Sequence, residues 1–316
     1  MGSQNQPKFT PPGQMVDVGG FRLHALVCGQ GTPTVLLEPA LGGMALQYAR
    51  IQSEVSAFTR VLAYDRAGQG WSESSPNPRT PVNLAGELNA LLGRLDLRPP
   101  YILVGHSFGG LLARIYAGYH PEEAAGVVLV DSTHVDEYDF YPSLDKFISQ
   151  TARGVRLLKL VSRLGLGKQL TKLSLGSAAK SFSKEDLNSF LAQASQPKHH
   201  ETMLAEFSQH RFYFGAQSEV PRTLGNTPLI VVTAGNSVSG QGKIGGMTGE
   251  QVNALHQRLQ KNLVELSSQG EQVIIPGATH FSILTQPEYA AQVVDAVRRM
   301  VERVRAENRR PAPTSR

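Results

Sequence analysis

A short glycine-rich segment between an apolar run and a helical pattern restricts the fold of this chain more than any other feature. Residues 105–110 read Gly-His-Ser-Phe-Gly-Gly, and they directly follow the apolar run Tyr-Ile-Leu-Val at 101–104. A G-x-S-x-G segment between a buried strand and a helix predicts a sharp, strained turn that exposes the serine above the sheet edge. Side chains at the flanking glycine positions would clash in such a turn. The motif makes Ser107 the candidate nucleophile.

Apolar runs of β-rich composition alternate with helical patterns along the chain. Six runs are predicted as strands, at 34–37, 60–64, 101–104, 126–130, 229–233 and 272–275, after a hairpin at 16–27. Helical periodicity is found at 46–58, 84–95, 107–119, 251–266 and 288–305. This order predicts an α/β fold with a mostly parallel eight-stranded sheet covered by helices on both faces.

One long segment interrupts the alternation. Helical patterns and loops alone fill residues 131–221, a stretch too long for a simple connection in a compact domain. We predict a core at 16–133 and 222–305 with a helical cap at 134–221 inserted into it. A flexible N-terminal segment is expected at 1–15 and a disordered basic tail at 306–316.

Within the predicted cap, residues 154–175 interleave Leu and Val with Arg and Lys. This pattern indicates an amphipathic helix whose leucine face packs on the core. The alternative interpretation is a basic surface in peripheral contact with a membrane or a lipid aggregate.

Charge and cysteine content exclude several classes of protein. The net charge of +5 equals the excess of seven Arg over two Glu in residues 298–316, so the rest of the chain is neutral and we expect no nucleic-acid partner. The single cysteine, Cys28, excludes an internal disulfide and a cysteine-based metal cluster. The first fifteen residues lack the apolar region of a secretory signal. We therefore expect a cytoplasmic or otherwise soluble protein, and a membrane anchor preceding Met1 stays an open alternative.

A serine nucleophile needs a base and oxyanion donors. A strand pattern ends at Ile275, and the following loop carries His280, which can accept the serine proton and return it to the leaving group. The loop after the strand at 34–37 reads Glu-Pro-Ala-Leu-Gly-Gly, and its glycines let the backbone approach a substrate carbonyl. We expect the backbone N–H groups of Leu41 and Phe108 to form the oxyanion hole.

These segments together resemble the α/β-hydrolase superfamily, in particular its capped carboxylesterases and lactonases, over residues 16–305. The segment Tyr-Asp-Arg-Ala-Gly-Gln-Gly-Trp-Ser at 64–72 is similar to the family's structural D-x-R-G-x-G-x-S turn. Pro39-Ala40 replaces the His-Gly of the family's usual oxyanion loop. This departure leaves the identity of the second donor open.

The resemblance implies an acid that orients His280. The family most often places it after the strand that follows the cap, but no carboxylate follows residues 229–233 until Glu250. Some members carry the acid at the end of the strand after the elbow, which is Asp131 here. Asp131 is therefore the expected acid, and a purely structural role as a loop anchor is the alternative.

The resemblance implies hydrolysis of a small hydrophobic ester or lactone through an acyl-enzyme, without a metal or organic cofactor. The alternatives are a small-molecule receptor with little turnover, an acyltransferase and an aminopeptidase. A serine at position 107 argues against dehalogenase and epoxide hydrolase chemistry, which needs a carboxylate there. Expected pocket residues are Glu38, Phe140, Tyr141 and Phe212. The sequence does not indicate an oligomeric state.

Overall fold

The computed structural model describes residues 11–137, 144–175, 179, 182–215, 218–237 and 247–309, with the backbone alone for 144–148 and 174. Eight strands form one sheet in the order β1-β2-β4-β3-β5-β6-β7-β8. The strands are β1 Gln14–Asp17, β2 Arg22–Cys28, β3 Thr34–Glu38, β4 Val61–Tyr64, β5 Tyr101–His106, β6 Ala124–Val130, β7 Leu229–Ala234 and β8 Gly270–Ile275. The pairs β1–β2 and β2–β4 are antiparallel, and every other neighbouring pair is parallel. The predicted fold class and strand number are confirmed.

Helices cover both faces of the sheet because the central strands are apolar on both sides. In β5, Leu103 faces one buried cluster while Ile102 and Val104 face the other. A 3-10 turn at Ala45–Tyr48 precedes α1. The core helices are α1 Ala49–Val55, α2 Pro81–Arg94, α3 Phe108–Tyr119, α9 Gly249–Val264, α10 Ser282–Thr285 and α11 Pro287–Asn308.

Among the described residues, five helices lie between β6 and β7, in what we call the inserted segment (residues 134–221). They are α4 Leu144–Arg163, α5 Gly167–Leu175, α6 Lys184–Ala194, α7 Pro197–Ser208 and α8 His210–Tyr213. The helix α7 packs on the loops after β3 and β4: Lys198 Nζ donates to Ser72 O at 2.7 Å, and Met203 lies against Gly42. The division into core and cap stays a prediction.

The ends of the ordered structure differ slightly from the sequence boundaries. The first strand begins at Gln14, inside the segment expected to be flexible, where Gln14 pairs with Ala25 of β2. The last helix runs to Asn308, three residues into the segment expected to be a tail. None of the helices in the described ranges combines the length and the hydropathy that crossing a bilayer requires.

Strand order fixes where a site can form. The strands β3 and β5 are neighbours, and the connection from β3 runs to β4 on one side whereas the connection from β5 runs to β6 on the other. In open α/β sheets, this arrangement opens a crevice at the carboxyl ends of the strands. The loops after β3 and β5 carry Leu41 and Ser107, and both enter that crevice.

The glycines of the elbow allow β5, α3 and the β3 loop to approach one another. A Cβ at Gly109 would lie 2.1 Å from Glu38 O, and one at Gly105 would lie 2.3 Å from Gly109 O. Both contacts are with backbone atoms, which cannot rotate away as a side chain does. The elbow therefore depends on these two positions having no side chain.

We expect Gly109→Ala to lower the free energy of unfolding by about 2–3 kcal/mol, because the added methyl forces the α3 and β3 backbones apart. Gly93→Ala is the matched control, since Gly93 lies on α2 and a methyl added there would have no heavy atom of another element within 4 Å. That change should be neutral or stabilise by up to about 1 kcal/mol. Urea unfolding followed by circular dichroism measures both, and equal stabilities of the two variants would contradict the packing account.

Candidate functional site

Ser107 occupies the strained position that its motif predicts. Its backbone dihedrals are φ 55° and ψ −124°, a region that L-residues rarely adopt. The Ser107 N–H donates to Val130 O at 3.1 Å, which ties the turn to the end of β6. Its hydroxyl consequently lies at the N-terminus of α3, at the carboxyl edge of the sheet.

The structure brings Ser107, His280 and Asp131 together in one hydrogen-bonded chain. The distance from Ser107 Oγ to His280 Nε2 is 3.0 Å, and His280 Nδ1 lies 2.6 Å from Asp131 Oδ2. These distances fit a hydroxyl that donates to one ring nitrogen while the other donates to a carboxylate. The three residues come from the ends of β5 and β6 and from the loop after β8.

Asp131 accepts hydrogen bonds from four groups. Its Oδ1 accepts from Ala234 N at 2.9 Å and lies 2.7 Å from His256 Nε2. Its Oδ2 accepts from Ser237 Oγ at 2.7 Å, in addition to the contact with His280. Burial acts to raise the pKa of Asp131, but the hydrogen bonds from His256 and His280 outweigh it and hold that pKa well below its ordinary value. The carboxylate is therefore ionised at neutral pH.

His256 is the site residue that the sequence did not indicate. It lies on α9, among positions that read as an ordinary amphipathic helix, and its ring is nearly buried beside Asp131. Burial acts to lower its pKa, but the hydrogen bond with Asp131 and the charge of that carboxylate produce a net rise. Only the packing of α9 against β7 brings this imidazole to the acid, and that packing has no local sequence signal.

His106 connects the elbow to the loop of the base. Its Nε2 lies 2.9 Å from the carbonyl oxygen of His280, and the centroids of the two rings are 4.7 Å apart. Burial lowers the pKa of His106 to about 3, so its ring is neutral at neutral pH and its Nε2–H donates to that carbonyl. The residue directly before Ser107 thus anchors the backbone of His280.

Leu41 and Phe108 border the same cavity as Ser107. Within the described part of the chain, neither of their backbone N–H groups has an intramolecular acceptor. Arg66 holds the loop of Leu41 in place: its Nη1 donates to Pro39 O at 2.6 Å and its Nη2 to Ala40 O at 2.8 Å. The role of these two N–H groups as an oxyanion hole stays a prediction.

A buried ionic network surrounds Arg66. Its guanidinium lies 3.0 Å from Glu38 Oε1 and 3.2 Å from Glu206 Oε1, a residue of α7. Arg79 joins the network 3.8 Å from Glu206 and 2.8 Å from Glu87. Burial acts to lower the pKa of Arg66, but the neighbouring carboxylates outweigh it and raise that pKa. The network joins the inserted segment to the loops after β3 and β4.

A cavity of about 170 Å³ opens beside Ser107. Its walls are mainly apolar, with two carboxylates among them. The lining residues are Leu41, Ser107, Phe108, Thr133, Glu137, Glu206, Phe207, His210, Tyr213 and Phe214. The volume is below the range of roughly 300–1,000 Å³ that is common for drug-sized ligands, so a small substrate fits it best.

Of the four expected pocket residues, the structure describes two, and neither of these two lines the cavity. Glu38 is buried and bonded to Arg66 and to the Tyr64 hydroxyl, behind the cavity wall rather than in it. Phe212 is 38% exposed and does not line the cavity, because the adjacent Tyr213 and Phe214 face inward instead. Phe140 and Tyr141 lie outside the described residues.

One group of side chains has the spacing of metal ligands, and it lies away from this cavity. Ligand atoms of His120, Glu122 and Glu123 are all within 4.8 Å of one another. The helix α3 is about 18 Å long at 1.5 Å per residue. These three residues follow its C-terminal end, whereas Ser107 precedes its N-terminus. The group is therefore separate from Ser107 and His280.

Comparison with known proteins identifies the class of fold. Residues 35–296 match the model of the alpha/beta hydrolase family, and the chain belongs to that family. A solved thermophilic esterase from Thermogutta terrifontis is similar over 90% of this chain and 94% of its own, with TM-score 0.64 and 19% identity. An epoxide hydrolase from Vigna radiata is similar over 92% of this chain and 97% of its own, with TM-score 0.67 and 15% identity.

Among curated proteins, the "Probable transporter efuK" of Hormonema carpetanum is 34% identical over 136 residues, which is 40% of this chain and 20% of that protein. The chain covers between 20% and 41% of the length of the first four curated relatives that it matches. The comparisons therefore define the family and the fold, and both esterases and epoxide hydrolases share them.

We expect His256 to stabilise the fold in a pH-dependent way. Because its folded-state pKa is raised, its stabilisation is complete below the unfolded-state value of about 6.5 and is lost as the pH rises through the folded-state value. The difference in unfolding free energy between the wild type and His256→Gln should therefore be larger at pH 6 than at pH 9. Urea unfolding at both pH values measures it, and a difference independent of pH would count against the ion pair with Asp131.

Proposed function

We propose that this chain is a serine hydrolase that cleaves small, neutral carboxylic esters, including lactones, through an acyl-enzyme intermediate. The observation that carries the proposal is the unbroken chain of hydrogen bonds from Ser107 through His280 to Asp131. Such a chain gives a serine hydroxyl a base and gives the base an orienting carboxylate, the two elements that nucleophilic acyl transfer needs.

Each proposed step uses a group described above. His280 Nε2 takes the Ser107 proton while Oγ attacks the ester carbonyl carbon, and the N–H groups of Leu41 and Phe108 bind the resulting oxyanion. His280 returns the proton to the leaving alcohol as the C–O bond breaks. A water molecule then gives a proton to His280 and attacks the acyl-enzyme carbonyl carbon. His280 passes that proton to Ser107 Oγ as the acyl C–O bond breaks, which releases the acid and restores Ser107.

Asp131 stabilises the imidazolium that forms on His280 in each step. Its negative charge is stabilised by four hydrogen-bond donors, which outweigh the opposing effect of burial, so it stays ionised while the proton moves. The ring of His280 is fixed with Nδ1 towards Asp131 and Nε2 towards Ser107. This is the tautomer and the orientation that a general base for the serine requires.

The nucleophile favours ester hydrolysis over the chemistry of the epoxide hydrolase neighbours. Opening an epoxide through an alkyl-ester intermediate needs a carboxylate at the elbow, and this chain has a serine at position 107. A serine paired with an imidazole is instead suited to attack on a carbonyl. The fold is shared by both classes, so the residue at the elbow is the feature that supports ester hydrolysis.

Glu137 restricts the charge of the substrate. It lines the cavity with Ser107, and its Oε1 accepts a hydrogen bond from His134 N at 2.9 Å. Burial raises the pKa of Glu137 to about 6, so the carboxyl group is mostly ionised at pH 8 and mostly neutral at pH 5. An anionic substrate is therefore disfavoured above pH 6, which supports neutral esters as the substrate class.

The nucleophile and the acid can be tested with p-nitrophenyl acetate and an organophosphate label. Ser107→Ala should abolish labelling and lower kcat by about 10⁴-fold or more, and Asp131→Asn should lower kcat by roughly 10²–10⁴-fold. Ser53→Ala, on an exposed face of α1, is the control and should keep wild-type turnover. A folded wild type with neither burst nor steady-state rate would favour the receptor alternative. Wild-type kcat in Asp131→Asn would rule out Asp131 as the acid.

The role of Glu137 can be tested by comparing p-nitrophenyl acetate with the anionic mono-p-nitrophenyl succinate. At pH 8, Glu137→Gln should raise kcat/KM for the succinate relative to the acetate by about tenfold, equivalent to roughly 1.4 kcal/mol of transition-state free energy. At pH 5 the gain should shrink, because wild-type Glu137 is then mostly protonated. Glu250→Gln, exposed on α9, should leave the ratio unchanged at both pH values.

A further inference from the structure

The helices α4 and α5 carry an apolar surface that faces solvent. Of the ten large apolar side chains that are exposed among the described residues, five are leucines of this region, and each is at least 54% exposed. We call them, with the basic residues beside them, the leucine–basic face. The leucines are Leu157, Leu160, Leu164, Leu166 and Leu173. Exposed leucines scattered singly are ordinary, but five within seventeen residues form a patch.

The geometry of α4 shows that these leucines are not part of its packing on the protein. Ala152 and Val155 are buried and define the inner side of the helix. At 100° per residue, Leu157 and Leu160 lie on the side of α4 away from these two residues, and the exposed Leu164 follows directly after the helix. The structure thus reverses the expectation that the leucine side of this segment packs on the core.

The segment that carries these leucines is rich in basic residues. Between Lys146 and Leu175 the sequence has seven basic residues and no acidic one. Glu201 of α7 approaches this surface and pairs with Lys159 at 2.9 Å and Arg163 at 3.6 Å. The exposed basic residues of the face include Arg153, Arg156 and Lys172.

We propose that the leucine–basic face docks on an anionic lipid surface. Helices with leucines on one side and flanking Lys and Arg lie in the plane of a membrane, with the apolar side about 5–10 Å deep at the boundary between headgroups and acyl chains. The long basic side chains reach outward to anionic headgroups while their stems cover apolar surface. An anionic lipid surface therefore interacts with both the apolar area and the positive charge of the face.

Other partners use only one of these properties. A nucleic acid would pair with the arginines and lysines, but it would leave the five leucines in water. A single chain of acidic peptide would need a groove, whereas these leucines lie on the outer side of a helix pair. A lipid surface accepts a convex, mixed face of this kind.

Docking through this face would use no residue of the proposed reaction. The helix α4 packs against α7 and is linked to it by the pairs with Glu201. The same helix α7 carries Glu206, which lines the cavity. The cavity and the face are thus attached to the same helix, and this inference is independent of the chemistry proposed at Ser107.

The test is co-sedimentation of the full chain with vesicles of phosphatidylcholine alone or with 30% phosphatidylglycerol. We expect binding to the anionic vesicles that exceeds binding to the neutral ones at least tenfold and that weakens in 0.5 M salt. The double variants Leu160→Ser/Leu164→Ser and Arg153→Gln/Arg156→Gln should each reduce anionic binding at least fivefold. Val82→Ser/Arg94→Gln, which changes exposed residues of α2, is the matched control and should bind as the wild type does.

Circular dichroism and thermal unfolding verify that each variant is folded before its binding is compared. Equal binding to neutral and anionic vesicles, or equal loss in the α2 control, would overturn the proposal. Binding to duplex DNA without binding to vesicles would also overturn the proposal. The last alternative is that the face is an interface between two copies of the chain, which sedimentation velocity tests. A wild-type dimer that becomes a monomer in Leu160→Ser/Leu164→Ser would show such an interface and would overturn the proposal.

Discussion

The buried guanidinium of Arg66 is the interaction on which the geometry of the site depends. It binds the carbonyl groups of Pro39 and Ala40, and its charge is balanced by Glu38 from the core and Glu206 from α7. Breaking a buried ion pair by removing one partner costs about 3–5 kcal/mol. The loop of Leu41 and the helix above the cavity are therefore held by the same charge, and neither can shift without leaving a charge unpaired.

The position of Asp131 shows how a family pattern can change without losing its geometry. The strands β6 and β7 are neighbours in the sheet, so a carboxylate at the end of either can reach the imidazole of His280. Here the end of β6 carries the carboxylate, and the loop after β7 carries Ser237, which donates to it. The acceptor and one of its donors follow adjacent strands, and the carboxylate keeps its contact with the imidazole of His280.

Sequence reasoning succeeds where function depends on local backbone chemistry. The elbow at Ser107, the eight strands and the loops of Leu41 and His280 follow from glycine positions and apolar periodicity. Contacts between elements that are distant in sequence cannot be predicted in this way. His256 and Asp131, for example, are 125 residues apart in the chain and are hydrogen-bonded in the structure. The sequence also does not show that the leucines of α4 face solvent. An amphipathic pattern indicates that the two sides of a helix differ, but it does not indicate which side is buried. The sequence predicts Glu38 as a pocket residue because it adjoins the loop of Leu41. In the structure its side chain binds Arg66 instead.

The inserted segment divides the residues of the site into two groups along the chain. Ser107 and Asp131 precede it, while His256 and His280 follow it, and the two groups are joined by the parallel ladder of β6 and β7 and by α11 across the sheet. A chain cleaved between α5 and α6 would thus become two complementary fragments, neither of which holds both Ser107 and His280. Reassociation of the fragments would depend on strand pairing and on the packing of α11, and the return of the contact between Ser107 and His280 would mark its completion.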